Sequence, residues 1–399
     1  MELLSPAGTL EKLKVAVDYG ADAVYAGVKK FSLRERARNF TLDELAKGIE
    51  YAQKHAVKVY VTINAFMKNQ NIPEVKTIIK KLSTLKPDSF IISDLGTLSI
   101  AKNLTDIPIH VSTQANITNY ETVKIYKKLG ASRVVLAREL SLKEIGEIKN
   151  HVPETEIEVF VHGALCMAYS GRCLLSNYLS KRDANYGACS QSCRWKYYIM
   201  EEKRPGELYP IEEDNHGTYI FNSKDLCALP VLDKLYSLQV DSIKIEGRVK
   251  SSYYVAVTTA IYRKAIDMIK AGETQLFKDK LPELLNELEK VSHRPYTIGF
   301  LATDKELQHY KTSSYIRNYK FLGIYRNGVW EIRNRIGKGI EVELFFKNGT
   351  SKSTKIKNIY KNGEPLNEAH PNSKVKIDFE NEYTSDVPEL SILREKILI

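Results

Sequence analysis

The residues best equipped for chemistry are five cysteines: Cys166, Cys173, Cys189, Cys193 and Cys227. They are spaced Cys166-x6-Cys173-x15-Cys189-x3-Cys193-x33-Cys227, and the chain has no others. Thiols gathered on one segment suit a soft metal, zinc or an iron–sulfur cluster, because the deprotonated sulfur is a strong donor to such ions. The spacing matches neither a zinc ribbon, which uses two close pairs, nor the common ferredoxin run. Buried unbound thiols and catalytic thiols are the alternative readings. An odd count argues against a disulfide scaffold and for a reducing compartment.

A second set of residues is polar and stands at the ends of apolar segments: Tyr25, Asn64, Asp94, Gln114, Arg138, Glu139, His162, Glu246 and Arg248. Lys244 alternates with Glu246, so in a strand both point to one face. Arg138 and Arg248 can clamp a carboxylate or phosphate through two parallel N–H groups, and Arg36 and Arg38 are further candidates. His162, Glu139 and Glu246 are of the types that move protons, with Lys244 beside them. Taken singly, each reads equally well as a salt bridge or a cap. Helix capping is the expected role of Asn222 and Asp225.

These residues need a frame that brings them together. The first half of the chain repeats a short apolar strand, a turn and an amphipathic helix. Strands are expected at Glu2–Ser5, Ala23–Ala26, Val57–Ile63, Ser89–Ile92, Ile109–Ser112, Arg133–Ala137, Glu156–Val161 and, much later, Ser242–Glu246. Helical spacing of apolar residues fills intervals such as Leu42–His55 and Ile72–Leu85. Eight such units predict an α/β fold, a (β/α)8 TIM-barrel-like domain whose strand ends form the mouth of the site. The cysteines then fall in an insertion after the seventh strand. Thr218–Phe221 reads as one arm of a hairpin in that insertion, with Lys196–Met200 as the other.

The expected organisation is a catalytic barrel over 1–273 with a Cys-rich insertion at about 162–227, a helical linker over 274–293, and a small all-β barrel over 294–399. In the last part, Asn327-Gly328, Asn348-Gly349 and Asn362-Gly363 punctuate short strands at Phe321–Tyr325, Val329–Ile332, Ile340–Phe346, Thr354–Tyr360 and Lys374–Phe379. Its first part is basic, from Lys311 to Lys361, with Tyr315, Tyr319, Tyr325 and Trp330 interleaved. Charges for phosphates and rings for bases are what a nucleic-acid surface needs. A solvated basic face over core aromatics is the alternative.

Composition narrows the rest. With 43% hydrophobic and 27% charged residues the chain is an ordinary globular mix, which excludes disordered and collagen-like classes. No stretch reaches the roughly 20 apolar residues of a membrane span. The start, Met1-Glu2-Leu3-Leu4-Ser5-Pro6, carries no basic leader, so a cytoplasmic location is expected. A net charge of +10 favours a polyanionic partner.

One segment is specific enough to name a family. Glu158-Val-Phe-Val-His162-Gly163-Ala-Leu-Cys166-Met-Ala-Tyr169-Ser170-Gly171-Arg172-Cys173-Leu-Leu-Ser176 resembles the hallmark sequence of the peptidase U32 family. The resemblance extends through Glu2-Leu-Leu-Ser-Pro-Ala-Gly8, Ser112-Thr-Gln114, Leu136-Ala-Arg138-Glu139, Gly187-Ala-Cys189-Ser-Gln-Ser-Cys193-Arg194-Trp195 and Lys244-Ile-Glu246-Gly247-Arg248. The family name implies a peptidase, and some members are described as collagenases. The chain has neither a His-Glu-x-x-His zinc motif nor a Gly-x-Ser-x-Gly elbow. Better understood members are hydroxylases with a four-iron four-sulfur cluster that act on a tRNA wobble uridine, a ribosomal RNA cytidine or ubiquinone precursors. The resemblance is strongest to those acting on tRNA. It implies a 4Fe-4S cluster on Cys166, Cys173, Cys189 and Cys227, with Cys193 as the alternative to Cys189. It also implies prephenate, a dicarboxylate, as the linked oxygen donor, and a tRNA partner. Arg138, Arg248 and Lys244 are then the carboxylate anchors. Gln114, Asn64 and Tyr25 complete the expected binding site, and His162, Glu139 and Glu246 are the proton carriers.

Overall fold

The computed structural model describes residues 1–33, 38–166, 168–194, 198–200, 208–210, 223–302, 315–380 and 387–397. The chain forms two compact units, one of Met1–Lys14, Asp22–Lys250 and Arg294–Tyr315, the other of Val15–Ala21, Ser251–His293 and Ile316–Ile399.

The first unit is a closed parallel barrel. Its strands are β1 (Glu2–Ala7), β2 (Ala23–Gly27), β3 (Lys58–Ile63), β4 (Ser89–Ile92), β5 (Ile109–Val111), β6 (Ala131–Val135), β7 (Glu156–Ala164) and, after β8 (Asp225–Cys227), β9 (Ser242–Ile245). Sequential strands pair in parallel from β1 to β7. β9 closes the ring by pairing with both β7 and β1, with Leu4 opposite Ala23 on one side and Lys244 on the other. Both faces of such strands are covered, so they read as nearly continuous apolar runs; in β3 only Lys58 is exposed. Leu4, Ala23, Tyr25, Tyr60 and Ile91 meet as a buried cluster. The helices start where their sequences supply caps. Thr41 with Glu44 and Ser141 with Glu144 form capping boxes. Asp94, expected at the mouth, accepts the Thr97 N–H at 2.7 Å and caps the helix Leu95–Leu104.

One expectation about the insertion changes, and another falls outside the described residues. Tyr198–Met200 pairs antiparallel with Leu208–Pro210, while Thr218–Phe221 lies outside the described residues, as does Asn222. Asp225 caps no helix. It opens β8, which runs antiparallel to β7, and its carboxylate accepts the Arg294 N–H at 3.2 Å. The strand wins because β7 extends past the barrel rim and offers a free edge there.

The second unit contains the helices Ser252–Lys270 and Thr274–Leu288 and a six-stranded antiparallel barrel. The strand order is Glu341–Phe345, Ile392–Lys396, Tyr319–Arg326, Val329–Ile332, Lys374–Phe379 and Ser351–Lys361, which pairs back with the first. Its core includes Leu322, Trp330, Ile332, Leu344, Ile356 and Leu393. The strand Ile392–Lys396 carries a fully buried arginine. Arg394 pairs with Glu287 and, at 2.7 Å, with Glu343, which gives its charge the partners burial demands. Among the described residues no helix is long and apolar enough to cross a membrane.

Candidate active site

Six residues singled out from sequence line one cavity at the C-terminal ends of the barrel strands: Tyr25, Asn64, Gln114, Lys244, Glu246 and Arg248. That end is where βα loops build active sites in this architecture. The cavity measures about 30 Å³, the space of a water-sized group. Asn64 and Gln114 face each other, with Nδ2 of Asn64 3.5 Å from Oε1 of Gln114. The Gln114 oxygen also accepts from the Ser112 hydroxyl, which fixes the orientation of its amide. Tyr25 donates its hydroxyl to the Ile245 carbonyl at 2.9 Å and offers its ring face to the Lys244 ammonium, 4.6 Å away.

Lys244 and Glu246 share the cavity, yet Lys244 has a different ion partner. Its Nζ lies 2.9 Å from Oε1 of Glu158, a fully buried carboxylate in β7. Arg133 reaches the other Glu158 oxygen at 3.2 Å and continues to Glu2 and Glu156. A chain of alternating charges thus descends from the cavity through the barrel interior. Burial pushes the Glu158 carboxyl upward, but Lys244 and Arg133 outweigh it and hold it below the ordinary range. Glu158 was not singled out as a site residue. Its signal is a carboxylate flanked by the apolar Ile157 and Val159 in a barrel strand.

Arg248 is 3% exposed and donates from Nη1 to Ser32 Oγ at 2.7 Å and Thr62 Oγ1 at 3.0 Å. Two glycines make room for it. A Cβ on Gly27 would stand 1.9 Å from Nη1, and one on Gly8 2.0 Å from the Arg248 carbonyl oxygen. Arg36 lies outside the described residues and Arg38 is exposed.

The other expected residues hold the insertion on the mouth instead of lining the cavity. Glu139 accepts the backbone N–H of Ser170 at 2.6 Å together with its hydroxyl. Arg138 donates its backbone N–H to the Ser170 hydroxyl oxygen at 3.0 Å and its Nη1 to the Ala164 carbonyl. His162 is buried in β7, opposite Cys227 in the antiparallel register, with its ring 5.3 Å from that of Tyr296.

Cys166, Cys173, Cys189 and Cys193 are partly exposed and Cys227 is buried. The Gln191 N–H donates to Cys189 Sγ at 3.4 Å, a bond of the kind that orients a metal-binding sulfur. Asn185 brackets Cys173 by hydrogen bonds to its N–H and carbonyl. The donor types suit a soft cluster. Their placement, however, closes no coordination shell: among the described residues no three His, Cys, Asp or Glu side chains converge into a metal-holding group.

The aromatic residues interleaved with the C-terminal basic run do not form a stacking face. Trp330 is 1% exposed in the barrel core and Tyr325 packs on it with ring centroids 5.2 Å apart. Tyr319 donates its hydroxyl to Glu343 at 2.9 Å. Tyr315 lies in the first unit, under the Lys250 ammonium. Trp330 and Tyr325 pack inward because alternation along their strands puts them on the apolar face, while Tyr315 and Tyr319 are half-buried.

Comparison with known proteins agrees with this geometry. The model of "Peptidase family U32" matches residues 8–311, and that of "Peptidase family U32 C-terminal domain" matches 317–394. The chain is 41% identical to "tRNA hydroxylation protein P" of Escherichia coli (strain K12), over 87% of this chain and 86% of that one. It is 34% identical to "23S rRNA 5-hydroxycytidine C2501 synthase" of the same organism, over 76% of this chain and 46% of that one. It is also 34% identical to "Collagenase" of Porphyromonas gingivalis (strain ATCC BAA-308 / W83), over 67% and 65%. With both of its parts matched, the chain belongs to peptidase family U32 and is a homologue of the family's tRNA hydroxylation proteins.

Proposed function

We propose that this protein hydroxylates carbon 5 of the tRNA wobble uridine, using a prephenate-linked oxygen donor. The observation that carries the reading is the convergence of Lys244, Arg248, Asn64, Gln114, Glu246 and Tyr25 on one cavity at the barrel mouth. Two cations suit the carboxylates of a dicarboxylate donor, and two amides suit the polar edge of a uracil. Replacing the hydrogen at carbon 5 with a hydroxyl requires a group that takes up the departing proton. Glu246, partly exposed on the cavity wall, is best placed for that. His162 and Glu139, the other proton-carrying types, lie outside the lining. The present volume admits a water-sized group, so entry of a base requires the mouth to widen.

The proposal extends to the thiols. Cys166, Cys173, Cys189 and Cys227 are its iron–sulfur ligands, with Cys193 as the alternative to Cys189. Support comes from the all-thiol donor set, the N–H bond to Cys189 and membership of the family. Such a cluster, when bound, supplies electrons or a Lewis acid.

The test is nucleoside mass spectrometry of tRNA from cells that lack the gene and from cells in which it is restored. Loss and return of 5-hydroxyuridine derivatives is the expected result. An unchanged nucleoside profile overturns the proposal. Gelatin cleavage by the purified chain is what the collagenase reading requires instead.

A further inference from the structure

The insertion roofs the mouth of the barrel. Phe66 donates its N–H to the Asn185 carbonyl at 3.1 Å, Arg172 Nε donates to the Gln114 carbonyl at 3.0 Å, and Asn116 Nδ2 donates to the Tyr169 carbonyl at 2.8 Å. The loops after β3 and β5 are thereby tied to one cover, and the Ser170 bonds add the loop after β6. On this cover large apolar side chains face solvent. Tyr169 is 52% exposed, Leu174 75% and Tyr186 37%.

Cations stand over Tyr186 and over the half-buried Phe66, and the charges bearing on Tyr169 are the carboxylates of Glu139 and Glu144. Lys68 places its ammonium 6.0 Å from the Tyr186 ring centroid, and the exposed Arg172 stacks 5.0 Å from that of Phe66. Lys181 is exposed on the same cover. The nearby carboxylate of Asp183 accepts the Asn185 N–H at 2.9 Å. Separate rings interspersed with positive charge differ from the continuous apolar patch of a protein interface. They match the recognition of unpaired nucleic acid, where every base offers a face to stack and every phosphate a charge to pair. In the C-terminal barrel Trp330 and Phe379 are in the core, and Tyr325 and Phe346 pack against it.

We propose that the cover is a docking rim for single-stranded RNA: bases flanking the one that enters the cavity stack on Tyr169 and Tyr186, while Arg172 and Lys68 hold their phosphates. This rests on the reading above that the cavity takes a nucleobase. Arg172, bonded to the Gln114 backbone, couples the rim to the cavity wall.

The full chain is titrated with two RNAs of equal phosphate number, a stem-loop with an unpaired loop and a blunt duplex. In the double variant Tyr169→Ala, Tyr186→Ala, stem-loop binding is expected to weaken roughly tenfold or more, because stacking is lost for each base. Duplex binding, which needs only charge, stays within about twofold. The pair Tyr169→Phe, Tyr186→Phe keeps the rings and should keep stem-loop affinity. It also separates stacking from any loss of folding. Arg172→Gln should lower the salt dependence of stem-loop binding. Stem-loop affinity unchanged in the alanine pair, or lost equally for the duplex, overturns the rim. Loss in the phenylalanine pair does so too. Should ring-dependent binding stand while tRNA from cells lacking the gene keeps its 5-hydroxyuridine, the rim survives and the proposed reaction falls.

Discussion

Lys244 Nζ stands 2.9 Å from Glu158 Oε1, and neither side chain is more than 5% exposed. The pair joins a strand that lines the cavity to one that carries the insertion, and Arg133 holds the carboxylate from below. Removing one partner leaves an uncompensated charge inside the barrel, which costs about 3–5 kcal/mol. Glu158→Gln and Lys244→Met are each expected to lower unfolding free energy by roughly that amount. The double variant should lose clearly less than the sum, because neither charge is then stranded. Urea titrations of all four proteins measure it. Additive losses would mean that the two groups do not act as a unit.

Acid should weaken the barrel in two windows with different onsets. His110 donates to or accepts from Ser89 Oγ at 3.0 Å beneath Arg133. Burial first, and Arg133 second, drive its folded-state value well below 6.5. Glu2, Lys244 and Lys58 also bear on it, with Glu2 opposing. The unfolded chain therefore takes up a proton on this imidazole before the folded one does. Stability should decline as pH falls below 6.5. Glu158 adds a second loss. Its folded value is depressed, so its contribution is complete above 4.5 and disappears on further acidification. Thermal midpoints against pH should fall in both windows. His110→Asn should flatten the upper one and leave the lower.

The two glycines around Arg248 predict unequal effects. At Gly27 the added methyl meets the end of a side chain, so Gly27→Ala should push the guanidinium off Ser32 and Thr62. Activity should fall sharply, with a smaller loss of stability than at Gly8. At Gly8 the methyl meets a backbone carbonyl that cannot swing aside. Gly8→Ala should cost about 1–3 kcal/mol or more in stability. Equal destabilisation by both would show that Arg248 is as immobile as the backbone that carries it.

Barrel strands were legible because both faces are buried and their apolar runs stand between helical patterns of a different period. Lys244, Glu246 and Arg248 were legible for the same reason: polar residues at a strand end, in a fold that gathers strand ends. Other features needed long-range partners that no local pattern encodes. The strand Ile392–Lys396 went unread because Arg394 breaks its apolar alternation, and only Glu287 and Glu343 make that burial tolerable. Trp330 reads equally as a stacking platform or a core ring, because composition does not say which face of a strand is dry, and it is the core ring. Ser32 and Thr62 carried no signal beyond being hydroxyls, although they fix the cavity's arginine.

The cysteines allow the sharpest division of roles. If four thiols hold an iron–sulfur cluster, Cys166→Ala and Cys173→Ala should each abolish both iron content and tRNA modification. Cys189 and Cys193 are four residues apart in the connecting segment and are both partly exposed. Cys189 receives a backbone N–H from Gln191, a bond of the kind that offsets part of the charge a ligating sulfur carries to iron. With Cys189 as the proposed fourth ligand, Cys189→Ala should behave like Cys166→Ala, whereas Cys193→Ala should keep its iron and its activity. Iron and acid-labile sulfide analysis of anaerobically purified variants, beside nucleoside analysis of tRNA, measures both. The reverse pattern would transfer the ligand role to Cys193, and iron retained in the Cys166 and Cys173 variants would remove the cluster from this segment altogether.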